Sequence, residues 1–213
     1  MTKRGLFISI EGVEGVGKST NISLIQEMLD AAKIDYVTTR EPGGTPIAER
    51  IRELLLDKQN VEMTDKAELL LVFAARAQHI QELIEPTLAS GRWVITDRFT
   101  DSTYAYQGGG RGAQAAEIEA IEQFSIQSFQ PDLTILLDLA TEIGLERAGK
   151  RGELDRFESE TAQFFEQVRS TFLSRAAQFP ERFRVIDAGS TLDDVQQAIR
   201  DQLQPVIDEW SAA

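Results

Sequence analysis

Two rhythms of apolar and polar positions alternate along this chain. Short, nearly unbroken apolar runs at residues 6–10, 36–39, 93–96, 133–137 and 183–186 read as strands. Between them the apolar residues take helical spacing. Over residues 19–32, Ile22, Ile25, Met28 and Leu29 share one side. Helices are also predicted over 45–56, 64–90 (a long pattern with few breakers), 115–129, 142–147, 161–178 and 192–210. A short helix over 102–107 is expected to end at the triple glycine Gly108-Gly109-Gly110, and Arg40-Glu41-Pro42-Gly43-Gly44 reads as a loop. Strands that are apolar without alternation, separated by helices, predict an α/β protein whose parallel sheet is covered on both faces. Ligands of such sheets lie beyond the carboxyl ends of the strands. The loops after Ile10, Thr39, Thr96 and Leu137 are therefore expected along one edge. No repeat, low-complexity segment or Pro/Gly/Ser linker divides the 213 residues, so one domain over 1–213 is expected.

Composition narrows the function. The net charge of −13 repels nucleic-acid backbones, which argues against DNA or RNA binding as the main role. It also makes local clusters of Arg and Lys informative, because any polyanionic ligand must be met by them. There is no cysteine, which excludes disulfides, thiolate catalysis and Cys-based metal sites. No apolar run is long enough to cross a bilayer. Met1-Thr2-Lys3-Arg4 leads straight into the first apolar run without the pattern of a signal peptide, so the cytoplasm is the expected compartment.

The strongest motif follows the first strand. Gly12-Val13-Glu14-Gly15-Val16-Gly17-Lys18-Ser19 fits G-x-x-x-x-G-K-[ST], between a predicted strand and a predicted helix. Its glycines let backbone N–H groups turn inward onto phosphate oxygens, and the helix presents its positive end to the anion. Lys18 places a point charge by the β and γ phosphates, and the Ser19 hydroxyl is a ligand for Mg²⁺. A second acidic point is needed for the metal. Asp97 and Asp138 both end apolar strands, and the pattern alone does not separate them. The following Arg98 favours Asp97, since it sets a phosphate-binding group beside a metal-binding one. A structural Asp–Arg pair at a turn is the competing reading.

Arg147, Lys150, Arg151 and Arg156 cluster around Gly149 and Gly152 in this acidic chain. Such a segment either closes over a triphosphate as a mobile lid, about residues 147–157, or is a solvated face paired with Glu146, Glu153, Asp155 and Glu158. The phosphate loop upstream favours the lid. These features predict the three-layer P-loop NTPase fold: a five-stranded parallel sheet, helices on both faces and a mobile lid. Asn21 and Asn60 are not followed by Lys, so the base-reading motif of a GTPase switch is missing, and the length suits a small kinase.

Over nearly its full length the chain resembles the bacterial thymidylate kinase family. The resemblance is carried by Phe7-Ile8-Ser9-Ile10-Glu11-Gly12, Thr39-Arg40-Glu41-Pro42-Gly43-Gly44-Thr45 and Ala74-Ala75-Arg76. Asp97-Arg98-Phe99, the run from Ser102 through Tyr106 and Gln107 to Gly112, and Arg151-Gly152-Glu153-Leu154-Asp155-Arg156 complete it, in this order. It implies that ATP and dTMP give ADP and dTDP with Mg²⁺, a step toward dTTP for replication. It implies that Arg98 holds the acceptor phosphate, Arg76 and Thr103 meet the thymine, and Tyr106 presses on the deoxyribose and excludes a 2′-hydroxyl. Glu14 faces the acceptor, with Arg40, Pro42 and Gln107 around it. Lys18, Arg98 and Arg151 form the catalytic set. The donor is expected on Gly12 through Thr20 with Arg147 and Arg151, and the metal on Ser19 and Asp97. Because the loop's variable positions hold no arginine, the lid must supply one, and Arg151 matches it. The family also implies a homodimer, to which the apolar stretch 69–73 contributes unless it is simply core.

One position departs from the family pattern. The aromatic that stacks on thymine commonly stands four residues before the arginine, where this chain has Val72. Phe73, three before Arg76, is the expected substitute, with a core role as the alternative. The acceptor phosphate is already ionised near neutral pH, so no general base is required. His79, the lone histidine, is read as a surface or packing residue. A kinase for another nucleoside monophosphate and a nucleotide-dependent binding switch are the competing functions.

Overall fold

The computed structural model describes residues 3–149 and 155–212. The proposed lid residue Arg151 and its neighbours 150–154 lie outside these. Five strands form one sheet: β1 (Phe7–Glu11), β2 (Tyr36–Arg40), β3 (Trp93–Asp97), β4 (Leu133–Asp138) and β5 (Phe183–Asp187). Their order is β2-β3-β1-β4-β5, and every pairing is parallel. All carboxyl ends therefore share one edge, as the apolar runs predict. The central strand β1 is buried throughout, whereas β2 and β5 are edge strands and admit polar, partly exposed residues.

Alternate residues of the inner strands point to opposite faces, and each face has its own core. Ile8, Ile10, Trp93 and Ile95 pack with α1 (Lys18–Ala31), α8 (Ala162–Gln178) and α9 (Leu192–Ala212). Phe7 and Val94 pack on the other side with α3 (Asp65–His79) and α6 (Ala115–Ile126). Helix α2 (Pro46–Leu56) lies against α3. Local chemistry sets the helix starts: the side chains of Thr45, Thr64 and Thr161 accept hydrogen bonds from Ala48, Ala67 and Phe164 N–H at 3.4, 3.3 and 3.2 Å. No described helix is long and apolar enough to cross a membrane.

The helical segments differ from expectation in two places. The long pattern 64–90 is α3, a π-helical turn at Ile80–Ile84 and then α4 (Glu85–Ala89), with Pro86, which has no N–H to donate, in the first turn of α4. The triple glycine does not end the short helix. After α5 (Thr100–Thr103) a π-helical segment, Tyr104–Gly110, runs through it. The glycines are there for close approach: a Cβ on Gly109 would lie 2.2 Å from Thr171 Oγ1, and one on Gly110 2.3 Å from the Phe164 ring. Helix α8 can therefore press directly onto this segment.

Candidate active site

The loop between β1 and α1 forms one end of a cleft of about 470 Å³ at the carboxyl edge of the sheet. Its backbone is seated on α7 (Thr141–Gly149). A Cβ on Gly15 would lie 2.1 Å from the Gly144 carbonyl oxygen, and one on Gly144 2.5 Å from that of Glu14. This glycine-on-glycine contact also brings Arg147 of α7 to the cleft wall. Lys18 is 9% exposed, and its Nζ donates long hydrogen bonds to the carbonyls of Gly12 and Val13, 3.4 and 3.5 Å away. Burial first, and then the neighbouring Arg98, lower its pKa, while Glu14, Asp97 and Glu11 oppose that shift. A buried ammonium held this loosely suits an anionic ligand.

Asp97 and Asp138 now separate. Asp138 is engaged by Arg169, whose Nε and Nη2 donate to its two oxygens at 2.7 and 2.9 Å. Asp97 lines the cleft with Ser19, and its Oδ1 is buried without a hydrogen-bond partner among the described residues. An orphaned carboxylate oxygen beside a hydroxyl and a phosphate loop is a donor set that fits a hard, oxygen-seeking cation such as Mg²⁺.

At the other end of the cleft, Arg98 adopts φ +72°, a conformation that costs a non-glycine residue on the order of 1 kcal/mol. Its Nη1 donates to Gly12 O at 3.0 Å and Ser102 Oγ at 3.2 Å, and its Nη2 to Glu14 Oε1 at 2.5 Å. Its guanidinium carbon lies 4.7 Å from the Tyr106 ring centre. Burial works against the charge on Arg98, but Glu14 first, then Tyr106 and Asp97, hold its pKa above the ordinary value. These bonds hold the guanidinium in one orientation at the cleft wall. The Tyr106 hydroxyl donates to Glu14 Oε1 at 3.1 Å, so Glu14 joins the phosphate loop to Arg98 and Tyr106 across the cleft.

Arg76 is fixed in a buried polar network. Its Nε donates to Glu41 Oε2 at 2.6 Å, Nη1 to Thr103 Oγ1 at 2.9 Å and Nη2 to Phe99 O at 3.1 Å. Glu41 also meets His79 Nδ1 at 3.0 Å, and His79 Nε2 lies 2.7 Å from Thr39 Oγ1. The lone histidine is thus a fully buried packing residue that braces the loop after β2, not a surface one.

Of the expected site residues, the cleft gathers Glu14 through Thr20, Arg40, Pro42, Arg76, Asp97, Arg98, Thr103, Tyr106, Gln107 and Arg147. Gly12 and Val13 stand behind the wall and face it only through the carbonyls that Lys18 and Arg98 contact. Phe73 requires a correction. It is 1% exposed, packs in the core between sheet and α6, and lies 5.0 Å under the Arg76 guanidinium carbon, while Val72 reaches the cleft. One residue along a helix is a turn of about 100°, enough to move a side chain from cleft to core. Of the basic cluster, Arg156 does not line the cleft but is docked on α2 and α3, donating to Leu55 O at 2.7 Å and Glu68 Oε2 at 2.6 Å. The cleft also contains Arg52, which donates to Pro42 O at 2.9 Å, together with Leu56, Ser102 and Phe157. No motif in the sequence singles out Arg52 among the charged positions of α2.

A P-loop with an unpartnered carboxylate oxygen beside it, facing Arg76 and Arg98 in the same cleft, fits a P-loop nucleoside monophosphate kinase. The thymidylate kinase family model matches residues 10–199. A thymidylate kinase of Ectopseudomonas mendocina is 58% identical, with 94% of this chain and 95% of the relative covered. One of Teredinibacter turnerae is 53% identical, over 94% and 98%. The crystal structure of thymidylate kinase from Ehrlichia chaffeensis superposes with a TM-score of 0.75 at 31% identity, covering 94% of this chain and 99% of that one. The chain belongs to the thymidylate kinase family.

Proposed function

We propose that the chain transfers the γ-phosphoryl group of ATP to dTMP, giving dTDP, inside this single cleft. Phosphorylation of dTMP is the reaction of the family to which the chain belongs. The observation that carries the division of labour is the separation of the cleft into two walls bridged by Glu14. The loop Gly12–Thr20 and Arg147 take the donor triphosphate. Arg98 takes the acceptor phosphate, with Arg40 and Pro42 beside it. Arg76, Thr103 and Gln107 surround the base, and Tyr106 stands by the sugar. The acceptor arrives ionised, so the side chains have only to align two phosphates and neutralise their repulsion. Lys18 and Arg98 do this from opposite sides, and Arg151, outside the described residues, is proposed to join them. Ser19 and Asp97 would hold Mg²⁺, which when bound supplies further charge neutralisation at the donor phosphates.

For Asp97→Asn, we expect the Mg²⁺ concentration needed for half-maximal rate to rise about tenfold or more, because the metal loses an anionic ligand. Titrating the rate with Mg²⁺ at fixed ATP and dTMP checks this. An unshifted titration would remove Asp97 from the metal site.

Two copies are proposed to pair through α2, α3 and α6. Leu54, Leu70 and Phe124, one from each helix, are 45%, 56% and 91% exposed. Within the stretch 69–73, Leu69, Val72 and Phe73 turn inward and Leu70 outward. Leu70→Glu is expected to convert a dimer to monomer in sedimentation velocity, as a charge in an apolar interface would. An unchanged dimer would refute this face. The chain is proposed to act as one unit in the cytoplasm.

A further inference from the structure

We propose that Glu11, the last residue of β1, is a positioning residue for the acceptor site, fixing the Arg98 turn through the Phe99 N–H and the Ser102 hydroxyl. The inference rests on the reading of Arg98 as the ligand of the acceptor phosphate. Glu11 is fully buried and does not line the cleft, so it acts on substrate only through other groups. Its Oε1 accepts a hydrogen bond from Phe99 N at 2.7 Å, and its Oε2 is bonded to Ser102 Oγ at 2.6 Å. Ser102 Oγ in turn accepts from Arg98 Nη1 at 3.2 Å. Arg98 N donates to Ile10 O at 3.0 Å. The end of β1 therefore holds the strained residue by its own amide, by the next amide and by the tip of its side chain.

The sheet does not need this carboxyl group. The backbone of β1 is already paired with β3 on one side and β4 on the other. What the carboxyl group adds is a partner for a buried N–H in a turn that would otherwise relax out of φ +72°. Burial first, and then the nearby Asp101, push the Glu11 pKa up to about 8. The bridge survives either charge state: ionised, both oxygens accept, and protonated, Oε2 donates to Ser102 while Oε1 still accepts from Phe99 N. A glutamine amide reproduces the second arrangement, and alanine reproduces neither.

Steady-state kinetics with dTMP and ATP varied separately test the proposal on Glu11→Ala, Glu11→Gln, Ser102→Ala and Arg98→Ala. Glu11→Ala and Ser102→Ala should raise KM for dTMP about tenfold, with KM for ATP within about twofold of the parent. Glu11→Gln should recover most of the loss. Either Ala variant placed on Arg98→Ala should add less than about twofold, because the group being positioned is already gone. If Glu11→Ala does not fold, Ser102→Ala and its pair with Arg98→Ala decide the matter. Equal rises in both KM values, or full additivity with Arg98→Ala, would overturn the proposal. An unchanged dTMP KM in Arg98→Ala would instead overturn the parent reading. A raised KM there, with Ser102→Ala and Glu11→Ala silent, would overturn this inference alone.

Discussion

Replacing Lys18 with alanine is expected to lower kcat by about 10²–10³-fold, the scale on which a single preorganised charge at the transferring group acts. The side chain sits inside the phosphate loop, where it is buried and bonded at long range to two carbonyls. Those weak contacts contribute little to the folded state, and burial disfavours the ammonium that makes them. The truncated side chain opens into a cleft, so no enclosed cavity is left behind. The unfolding midpoint of Lys18→Ala should therefore not fall below that of the parent. Loss of turnover together with a lowered midpoint would show that the lysine holds the loop rather than the phosphate.

Arg98→Ala should lower kcat/KM for dTMP by about 10³-fold while KM for ATP stays within about threefold, because the lost guanidinium serves the acceptor wall. Arg98→Lys should restore little of it. The guanidinium fork reaches Gly12 O, Ser102 and Glu14 together, and a single ammonium cannot span three partners. Alanine leaves the backbone at φ +72° no more comfortable, so the kinetic loss does not come from relief of the turn. Equal losses for ATP and dTMP would move Arg98 from the acceptor wall to general support of the phosphate loop.

The parts of the site legible in the sequence are those in which residue type and spacing carry the chemistry. The phosphate loop needs its glycines, lysine and serine at fixed intervals. Asp97 and Arg98 need the end of an apolar strand. Each such signal is local in sequence and survives without knowledge of packing. The adjacent Arg98 already favours Asp97 over Asp138. What is not local is why Asp138 is taken: Arg169, 31 positions away, engages it and leaves an oxygen of Asp97 without a partner among the described residues.

The same limit explains Phe73. Helical spacing says that residues three and four before Arg76 lie near its face, but the apolar wall that claims Phe73 comes from β1, β3 and α6. Glycines mislead in a related way. A run of three reads as a breaker, yet at Gly109 and Gly110 it is where α8 needs the room. Buried polar residues are the hardest to foresee. Glu11 and Glu41 look like ordinary surface types until the fold surrounds them with N–H and guanidinium donors, and His79 until it is set between Glu41 and Thr39.

The most direct test of the whole account follows the transferred group itself. ATP labelled at the γ position is incubated with the chain, Mg²⁺ and, in parallel, dTMP, dUMP, dCMP or AMP, and the labelled products are separated. The account predicts label in dTDP as the dominant product, dependent on dTMP and lost in Lys18→Ala. Label released as inorganic phosphate regardless of acceptor, or passed preferentially to AMP or dCMP, would contradict it.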